Sequence, residues 1–248
     1  MLLKNNNKTD FYFSPSVLLL PMGMVLLMWL VFWVERKYNF DLLTYGIFPR
    51  TLDGIKGIVF SPFLHGSIEH LFNNSFPIAI LLAALRFFYR NVCYRIVVFG
   101  ILCSGFLTWI IGRESYHIGA SGLVYVLASF VFFKGLQTKY YRLVALSFAV
   151  IMVYGGMIWF IFPDIEQGIS WEAHLSGFIV GIVFSRIFAV PIFKQELKYD
   201  WQQPNYVSSD DKFMQRFDEN GNFQNVPKVE ETWEYFTSNL NVIYENRN

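Results

Sequence analysis

The residues of this chain that could do chemistry lie at the beginnings of apolar stretches. Ser121 stands between Gly119 and Gly122 at the start of one such stretch, and His174 opens a later one. A hydroxyl and an imidazole form the pair that serine nucleophiles need, because the imidazole accepts the hydroxyl proton. A histidine among apolar residues is also costly enough to suggest a function. The two residues therefore predict nucleophilic catalysis, provided that the fold brings them together.

His70 and Asn74 form a second polar pair, one helical turn apart on a shared helix face. An imidazole N–H and an amide N–H aimed at one point suit the oxyanion of a tetrahedral intermediate. Asn73 competes with Asn74 for this role, and both could instead bond to the preceding loop. Of the remaining histidines, His65 is expected to anchor a loop and His117 to be solvated in one.

Each of these residues also has a purely structural interpretation. Ser121 could serve only helix packing, with its hydroxyl bonded within its own helix or to a neighbouring one. His174 could donate its hydrogen bond to a loop carbonyl. Gly177 and Gly181 give the helix of His174 a smooth face for close packing. Tyr125 lies one turn after Ser121 and could stack on His174, or it is ordinary aromatic packing.

The composition predicts a membrane protein. Hydrophobic residues make up 54% of the chain, aromatic residues 19% and charged residues 16%, values typical of membrane rather than soluble proteins. The formal net charge of +1 gives no reason to expect a nucleic-acid partner. The lipid bilayer is the expected surrounding.

Six apolar windows are long enough to be read as membrane spans, given that a span needs about 20 mostly apolar residues. The sequence therefore predicts an all-α, six-transmembrane-helix bundle. The windows are Val17–Val34, Leu71–Phe88, Val97–Ile111, Gly119–Phe133, Leu143–Phe162 and His174–Phe193.

Charges in the short loops predict the orientation, because basic loops stay in the cytoplasm. The bases on one side are Arg86, Arg90, Arg95, Lys134, Lys139, Arg142, Lys194 and Lys198. The other side offers Arg113 with Glu114, and the acids Asp164, Glu166 and Glu172. We expect a multi-pass protein of a cell membrane, plasma or inner, with both termini cytoplasmic. Spans two, four and six then begin at one depth near the outer face, where all the candidate polar residues lie.

The chain divides into three parts by composition. Residues 1–16 form a cytoplasmic N-terminal segment, residues 17–194 the six-helix domain, and residues 195–248 a polar, acidic cytoplasmic tail. The long loop between spans one and two mixes apolar and aromatic residues with few charges, which does not resemble disorder. We expect this loop to be partly embedded in the membrane.

In order and spacing, these motifs resemble those of the rhomboid family of intramembrane serine proteases. The matching residues are His65, His70, Asn74, Gly119, Ser121, Gly122, Tyr125, Ala173, His174, Gly177 and Gly181. The resemblance covers the whole bundle. It implies a Ser121–His174 dyad without an acidic third member, and an oxyanion site made by His70, Asn74 and the Ser121 backbone N–H. It also implies that the substrates are transmembrane segments of other proteins.

The chain departs from the family pattern in two places. Many members carry a Trp-Arg pair in the loop after the first span, where this chain has Asp53 to Ile58. Many also carry a Glu-x-Arg pair near the end of the second span, where Leu85 to Arg90 of this chain includes no acid. Neither motif supplies the chemistry.

Other functional classes fit the sequence less well. A metal-dependent membrane protease needs His-Glu-x-x-His on a helix, whereas Glu69-His70 has the wrong order, so we expect neither metal nor cofactor. A transporter would line a path with its polar residues, and here they cluster at one face. The remaining alternative is an inactive rhomboid-like protein that binds transmembrane helices without cleaving them.

The orientation can be tested with reporters. Because of the loop charges, a reporter fused after Asn248 should behave as cytoplasmic, and one inserted between Pro163 and Gly168 should lie outside. Protease accessibility in sealed cells measures both. A tail that is digested from outside would contradict the shared depth of the three helix starts.

Overall fold

A computed structural model of the chain describes residues 11–163, 165, 168–191 and 199–225. The chain divides into two compact units, residues 1–194 and 195–248, and each is described by itself. Expectations about residues 1–10, Asp164, Glu166, Phe193, Lys194, Lys198 and the tail beyond 225 lie outside the described residues.

The described residues of the first unit form helices joined by loops and turns, with no strand among them. A 3₁₀ helix, Gly155–Ile161, continues α6 directly. The α-helices are α1 (Ser16–Tyr38), α2 (Gly57–Phe60), α3 (Ile68–Phe88), α4 (Cys93–Ile111), α5 (Ser121–Thr138), α6 (Tyr141–Tyr154) and α7 (Trp171–Ile187). The prediction of an all-α membrane bundle is confirmed.

Among the described residues, five helices are long and apolar enough to cross a membrane: α1, α3, α4, α5, and α6 with its 3₁₀ extension. The sixth predicted span corresponds to α7, which has 17 residues and packs against α4 and α5. The helix is shorter than the apolar window at its C-terminal end, since α7 ends at Ile187. Pro191 accounts for the early end, because a proline lacks the N–H that would bond to the carbonyl four residues earlier and its ring clashes with that carbonyl.

Helix α5 is the central element of the bundle and packs against α3, α4, α6 and α7. Its residues from Leu123 to Leu127 are all buried. Apolar residues occupy every side of this helix, and no single apolar stripe runs along it, which is typical of a helix buried within a bundle. The first turn of such a helix is held by contacts with several neighbours.

Helices α5 and α7 approach each other closely through glycines. A Cβ placed on Gly177 would overlap the carbonyl oxygen of Gly122, and one on Gly181 would overlap the Ser129 hydroxyl. Small residues allow such backbone approach where no hydrophobic force drives helices together. The start of α7 is thereby pressed against the start of α5.

The loop between α1 and α3 folds into short helical turns and is tied to the end of α4. The Arg50 guanidinium donates to the Gly112 carbonyl at 2.7 Å and to the Ile110 carbonyl at 3.2 Å. The indole N–H of Trp109 donates to the Thr51 carbonyl at 2.9 Å. A cation near the carbonyl end of a helix is favourable. These bonds fix the loop although the family's Trp-Arg pair is missing.

Two arginines tie α1 to the far end of α3, where the family's acid is missing. Arg86 donates to the Ser16 hydroxyl at 3.0 Å, and Arg90 donates to the Ser14 hydroxyl at 2.9 Å. Serine hydroxyls thus accept these bonds in place of a carboxylate. In the loop itself Leu52, Ile55 and Phe60 are exposed, and its partial embedding in the membrane stays a prediction.

The second unit, over residues 199–225, consists of short 3₁₀ turns and one tight reversal. The Asp218 carboxylate accepts bonds from the backbone N–H groups of Asn220 and Asn222 at 2.9 and 2.8 Å. An aspartate that caps its own turn in this way stabilises a chain reversal.

The α5–α7 contact can be tested by adding one methyl group. Gly181→Ala should lower the free energy of unfolding by about 1–3 kcal/mol, because overpacking a tight contact displaces its neighbours. Gly23→Ala, within α1, is the matched control: nothing lies within 4 Å of its added Cβ, so that helix should gain stability. Thermal unfolding in detergent measures both. An equal response at the two sites would contradict the close packing.

Candidate functional site

The first turn of α5 presents Ser121 at a sharp bend of the chain. Gly119 has a φ of +106°, a conformation that favours glycine. Its N–H donates to the Ser61 carbonyl at 2.8 Å, which fixes the bend against the long loop. Ser121 is the first residue of α5, so its backbone N–H has no acceptor within the helix. That N–H remains available for an oxyanion.

His70 and Asn74 lie on the other side of Gly119. A Cβ on Gly119 would come within 2.6 Å of His70 Nε2 and 3.5 Å of Asn74 Nδ2. The Ser67 hydroxyl caps α3 by accepting the His70 backbone N–H at 3.0 Å, which positions this first turn. The absence of a side chain at Gly119 therefore leaves the space in which both side chains can reach a ligand.

The structure distinguishes between the two asparagines. Asn74 is 4% exposed, whereas Asn73 is exposed on the outer surface of α3. One Asn74 amide hydrogen donates to the His70 carbonyl at 3.0 Å. Since a side-chain amide has two N–H donors, the second is left for the space beside Gly119.

His174 is held by two contacts near the start of α7. Its ring stacks on Tyr125, with centroids 4.4 Å apart and an interplanar angle of 17°, so of the two roles that the sequence left open for Tyr125 the stack is present. Its Nδ1 lies 3.0 Å from the Phe160 carbonyl oxygen. Because a carbonyl can only accept, Nδ1 carries the proton in the neutral ring and Nε2 presents a lone pair. This is the tautomer that a general base needs.

The carbonyls that hold the site are supplied by the end of the 3₁₀ helix after α6. The last carbonyls of a helix lack intrahelical partners, and Pro163 has no N–H to offer one. The Phe160 carbonyl accepts from His174, and the Met157 carbonyl accepts from the Tyr125 hydroxyl at 2.6 Å. Two backbone carbonyls of this helix thus fix the stacked pair.

Ser121 and His174 lie on adjacent helix turns without a direct hydrogen bond. The Ser121 hydroxyl has no hydrogen-bond partner among the described residues. The turns themselves touch, since a Cβ on Gly122 would lie 3.5 Å from the Ala173 carbonyl. Catalytic hydrogen bonds are often long without substrate and shorten in the complex. Ser121 and His174 therefore lie on touching helix turns, and no hydrogen bond joins their side chains in the described structure.

A small cavity of about 20 Å³ lies beside this turn, enough for a water molecule. Polar groups and glycines line much of it, among them Ser61, Ser104, Thr108, His117, Gly119 and Gly122.

His65 is fully buried behind His70. The two rings meet edge to face with centroids 5.0 Å apart, and His65 is 0% exposed. Burial lowers the pKa of His65 to about 4, with the nearby His70 adding to the effect and the Phe63 carbonyl opposing it. His65 is therefore a neutral ring that supports His70. Separately, the described residues contain no cluster of His, Cys, Asp or Glu that could hold a metal ion.

The expectation that His117 is a solvated loop residue is wrong, since this residue is 3% exposed. Its backbone pairs with Ile47 through two hydrogen bonds of 2.8 and 3.0 Å. Its Nδ1 lies 2.5 Å from the Ser170 hydroxyl and its Nε2 lies 3.0 Å from the Arg113 carbonyl. Burial lowers the pKa of His117, against the opposing effects of that carbonyl and of Glu172.

Sequence reasoning also missed Glu172, which it treated only as a loop charge. Glu172 is 1% exposed and lies in the first turn of α7, a favourable place for a negative charge. Its carboxylate accepts the Arg113 backbone N–H at 3.1 Å. A buried acid thus lies two residues before His174, although the imidazole N–H donates to the Phe160 carbonyl and not to this acid. The only signal in the sequence was an acid directly preceding the histidine motif.

Comparison with known proteins identifies the family. The family model described as Rhomboid domain matches residues 54–191, more than half of the chain. An uncharacterized protein of Mycobacterium tuberculosis and one of Mycobacterium bovis are each 32% identical over 177 residues, covering 67% of this chain and 73% of the relative. One of Mycobacterium leprae is 30% identical over 175 residues, covering 66% of this chain and 68% of the relative. The chain therefore belongs to the rhomboid family of membrane proteins, whose members are generally intramembrane serine proteases.

Proposed function

We propose that this protein is an intramembrane serine endopeptidase that cleaves transmembrane segments of other membrane proteins by a Ser121–His174 dyad. The observation that best supports it is the state of His174. The ring is stacked on Tyr125, its Nδ1–H is held by the Phe160 carbonyl, and its Nε2 is left as a base beside the first turn of α5. A histidine that served packing alone would not need this combination.

The reaction begins with attack of the Ser121 oxygen on the scissile carbonyl carbon. His174 Nε2 takes the hydroxyl proton, and the ring becomes an imidazolium. A triad uses a carboxylate to orient the base and to stabilise that cation. Here the Phe160 carbonyl does both, because it accepts the Nδ1–H and belongs to the negative end of a helix dipole.

The tetrahedral intermediate places a negative charge on the former carbonyl oxygen. We assign its donors as the His70 imidazole, the free Asn74 amide hydrogen and the Ser121 backbone N–H. These groups are fixed before the substrate arrives, so little reorganisation is needed as charge develops. Collapse of the intermediate breaks the C–N bond, and the leaving amine takes its proton from His174.

Water must then hydrolyse the acyl-enzyme. The cavity beside Gly119 and Gly122 has room for a water molecule and adjoins the turn that carries Ser121. Attack by that water, with His174 again accepting a proton, releases the acid product and restores the serine. A cavity partly lined by polar groups, beside the turn that carries the nucleophile, can hold the water that hydrolysis needs.

The substrate must expose a carbonyl to be cut. Inside a bilayer, a helix hides its carbonyls in its own hydrogen bonds, so the segment has to unwind locally. We propose cleavage near the outer face of the cell membrane, at sites where small or helix-breaking residues ease unwinding. The catalytic groups all belong to residues 17–194, and residues 195–248 form a cytoplasmic tail outside the chemistry.

Removal of either dyad residue tests the proposal. Ser121→Ala and His174→Ala should each lower cleavage of a transmembrane substrate by at least about 10³-fold, because the nucleophile and its base act as a unit. For the same reason, the double variant should be scarcely slower than either single one. Labelling by a serine-directed fluorophosphonate measures the nucleophile separately from the substrate.

The matched control is Ser147→Ala, which removes a hydroxyl that bonds only to backbone carbonyls within and beside α6. It should keep wild-type labelling. A wild-type protein that binds transmembrane helices but neither labels nor cleaves would instead support the inactive, binding member of the family.

The two asparagines give a test of the oxyanion site. Loss of one oxyanion donor typically costs about 10²–10³ in turnover, so His70→Ala and Asn74→Ala should each slow cleavage by that factor. Asn73→Ala should have little effect, because its side chain is exposed away from Gly119. Turnover in detergent measures all three, and equal losses at both asparagines would contradict the assignment.

A further inference from the structure

Resting on the proposed function, we propose that Glu172, Arg113, His117 and Ser170 form a clasp that positions His174 against Ser121. The clasp joins two segments of the chain. One is the loop 112–120, which leads directly into Ser121. The other is the start of α7, which carries His174.

The first half of the clasp is centred on the Glu172 carboxylate. One carboxylate oxygen accepts the Arg113 backbone N–H at 3.1 Å, and the other lies 3.7 Å from the Arg113 guanidinium. The guanidinium also donates to the Ile169 carbonyl at 2.6 Å. Because the Arg113 side chain is 48% exposed and that of Glu172 is 1% exposed, water weakens the ion pair. The bond from the backbone N–H to the buried carboxylate is the stronger constraint.

The second half is centred on His117. The Arg113 carbonyl can only accept, so His117 Nε2 carries the proton and donates to it. Nδ1 is then an acceptor, and the Ser170 hydroxyl donates to it. Ser170 is also the N-cap of α7, and its oxygen accepts the Ala173 N–H at 3.4 Å. A neutral His117 therefore joins the loop to the capping residue of the helix that bears His174.

The need for such a clasp follows from the state of the dyad. Ser121 and His174 come from different helices, and no hydrogen bond joins them in the described structure. The separation of the two side chains is therefore set by whatever holds their backbones. The glycine contacts fix how closely α5 and α7 approach, and the clasp fixes the registration of their first turns along the helix axes.

A displaced base is costly. A misplacement of about 1 Å can lower the rate by about 10²-fold. None of the four clasp residues needs to touch the substrate. Removal of any one of their side chains should therefore reduce kcat and leave KM unchanged.

The experiment compares Glu172→Ala, Glu172→Gln and Glu114→Ala. Glu172→Ala should slow fluorophosphonate labelling and kcat by about 10- to 100-fold, because a displacement of about 1 Å can cost about 10²-fold. Glu172→Gln should recover most of the rate, because its amide oxygen can still accept the Arg113 N–H. Glu114→Ala removes an exposed acid from the same loop and should match the wild type.

His117→Ala provides a second arm from the other half of the clasp, in case Glu172→Ala does not fold. It should reduce kcat in the same range at unchanged KM. Thermal unfolding monitors the folded fraction, and rates are compared per folded molecule. A purely structural role would lower the melting temperature and leave the rate of the folded protein as in the wild type.

Three results would overturn the clasp. The first is wild-type labelling in Glu172→Ala and His117→Ala, and the second is a rise in KM in place of a fall in kcat. The third is a Glu172→Gln variant as slow as Glu172→Ala, because the charge and not the hydrogen bond would then matter. A wild-type protein that is itself neither labelled nor active would overturn the proposed function, and the positioning role with it. An active wild type with unaffected clasp variants would overturn the clasp alone.

Discussion

The contact between the glycine faces of α5 and α7 is the constraint on which the site depends. Where Gly177 meets the Gly122 carbonyl, the backbones come closer than any side chain would permit. In a bilayer, apolar side chains gain little by leaving lipid for protein, so packing of small residues is what holds helices together. The same closeness brings the first turns of the two helices into contact. The proposed catalytic geometry and the stability of the bundle in the membrane thus depend on one interface.

A membrane also limits which groups can serve a histidine. A carboxylate within the apolar region is expensive, whereas a backbone carbonyl at a helix end is already present and in need of a donor. The helix end before Pro163 supplies such a carbonyl from Phe160, and the Met157 carbonyl one turn earlier accepts from the Tyr125 hydroxyl. They hold Tyr125 and His174 as a carboxylate would hold the base of a soluble enzyme. The buried Glu172 lies at the helix start instead, where the dipole and Arg113 stabilise its charge.

The parts of the fold that follow from local pattern could be predicted from sequence. Long apolar stretches gave the helices, and the glycines after His174 gave the face that meets α5. The apolar window that predicted α7 continues past Ile187, but the helix ends there because Pro191 follows. Asn74 could not be separated from Asn73 by spacing alone, since only the orientation of α3 decides which of them is buried.

His117 and Glu172 show why other features of the site could not be predicted from the sequence. Taken alone, a histidine beside Glu114 and Tyr116 in a short loop reads as solvated, and an acid before the histidine motif reads as a loop charge. Their burial depends on contacts between segments more than fifty residues apart, namely His117 with Ser170 and Arg113 with Glu172. Polar residues near helix starts are ambiguous in sequence for this reason. In the proposed dyad, whose members share no direct bond, such distant contacts would supply the precision that a third catalytic side chain supplies elsewhere.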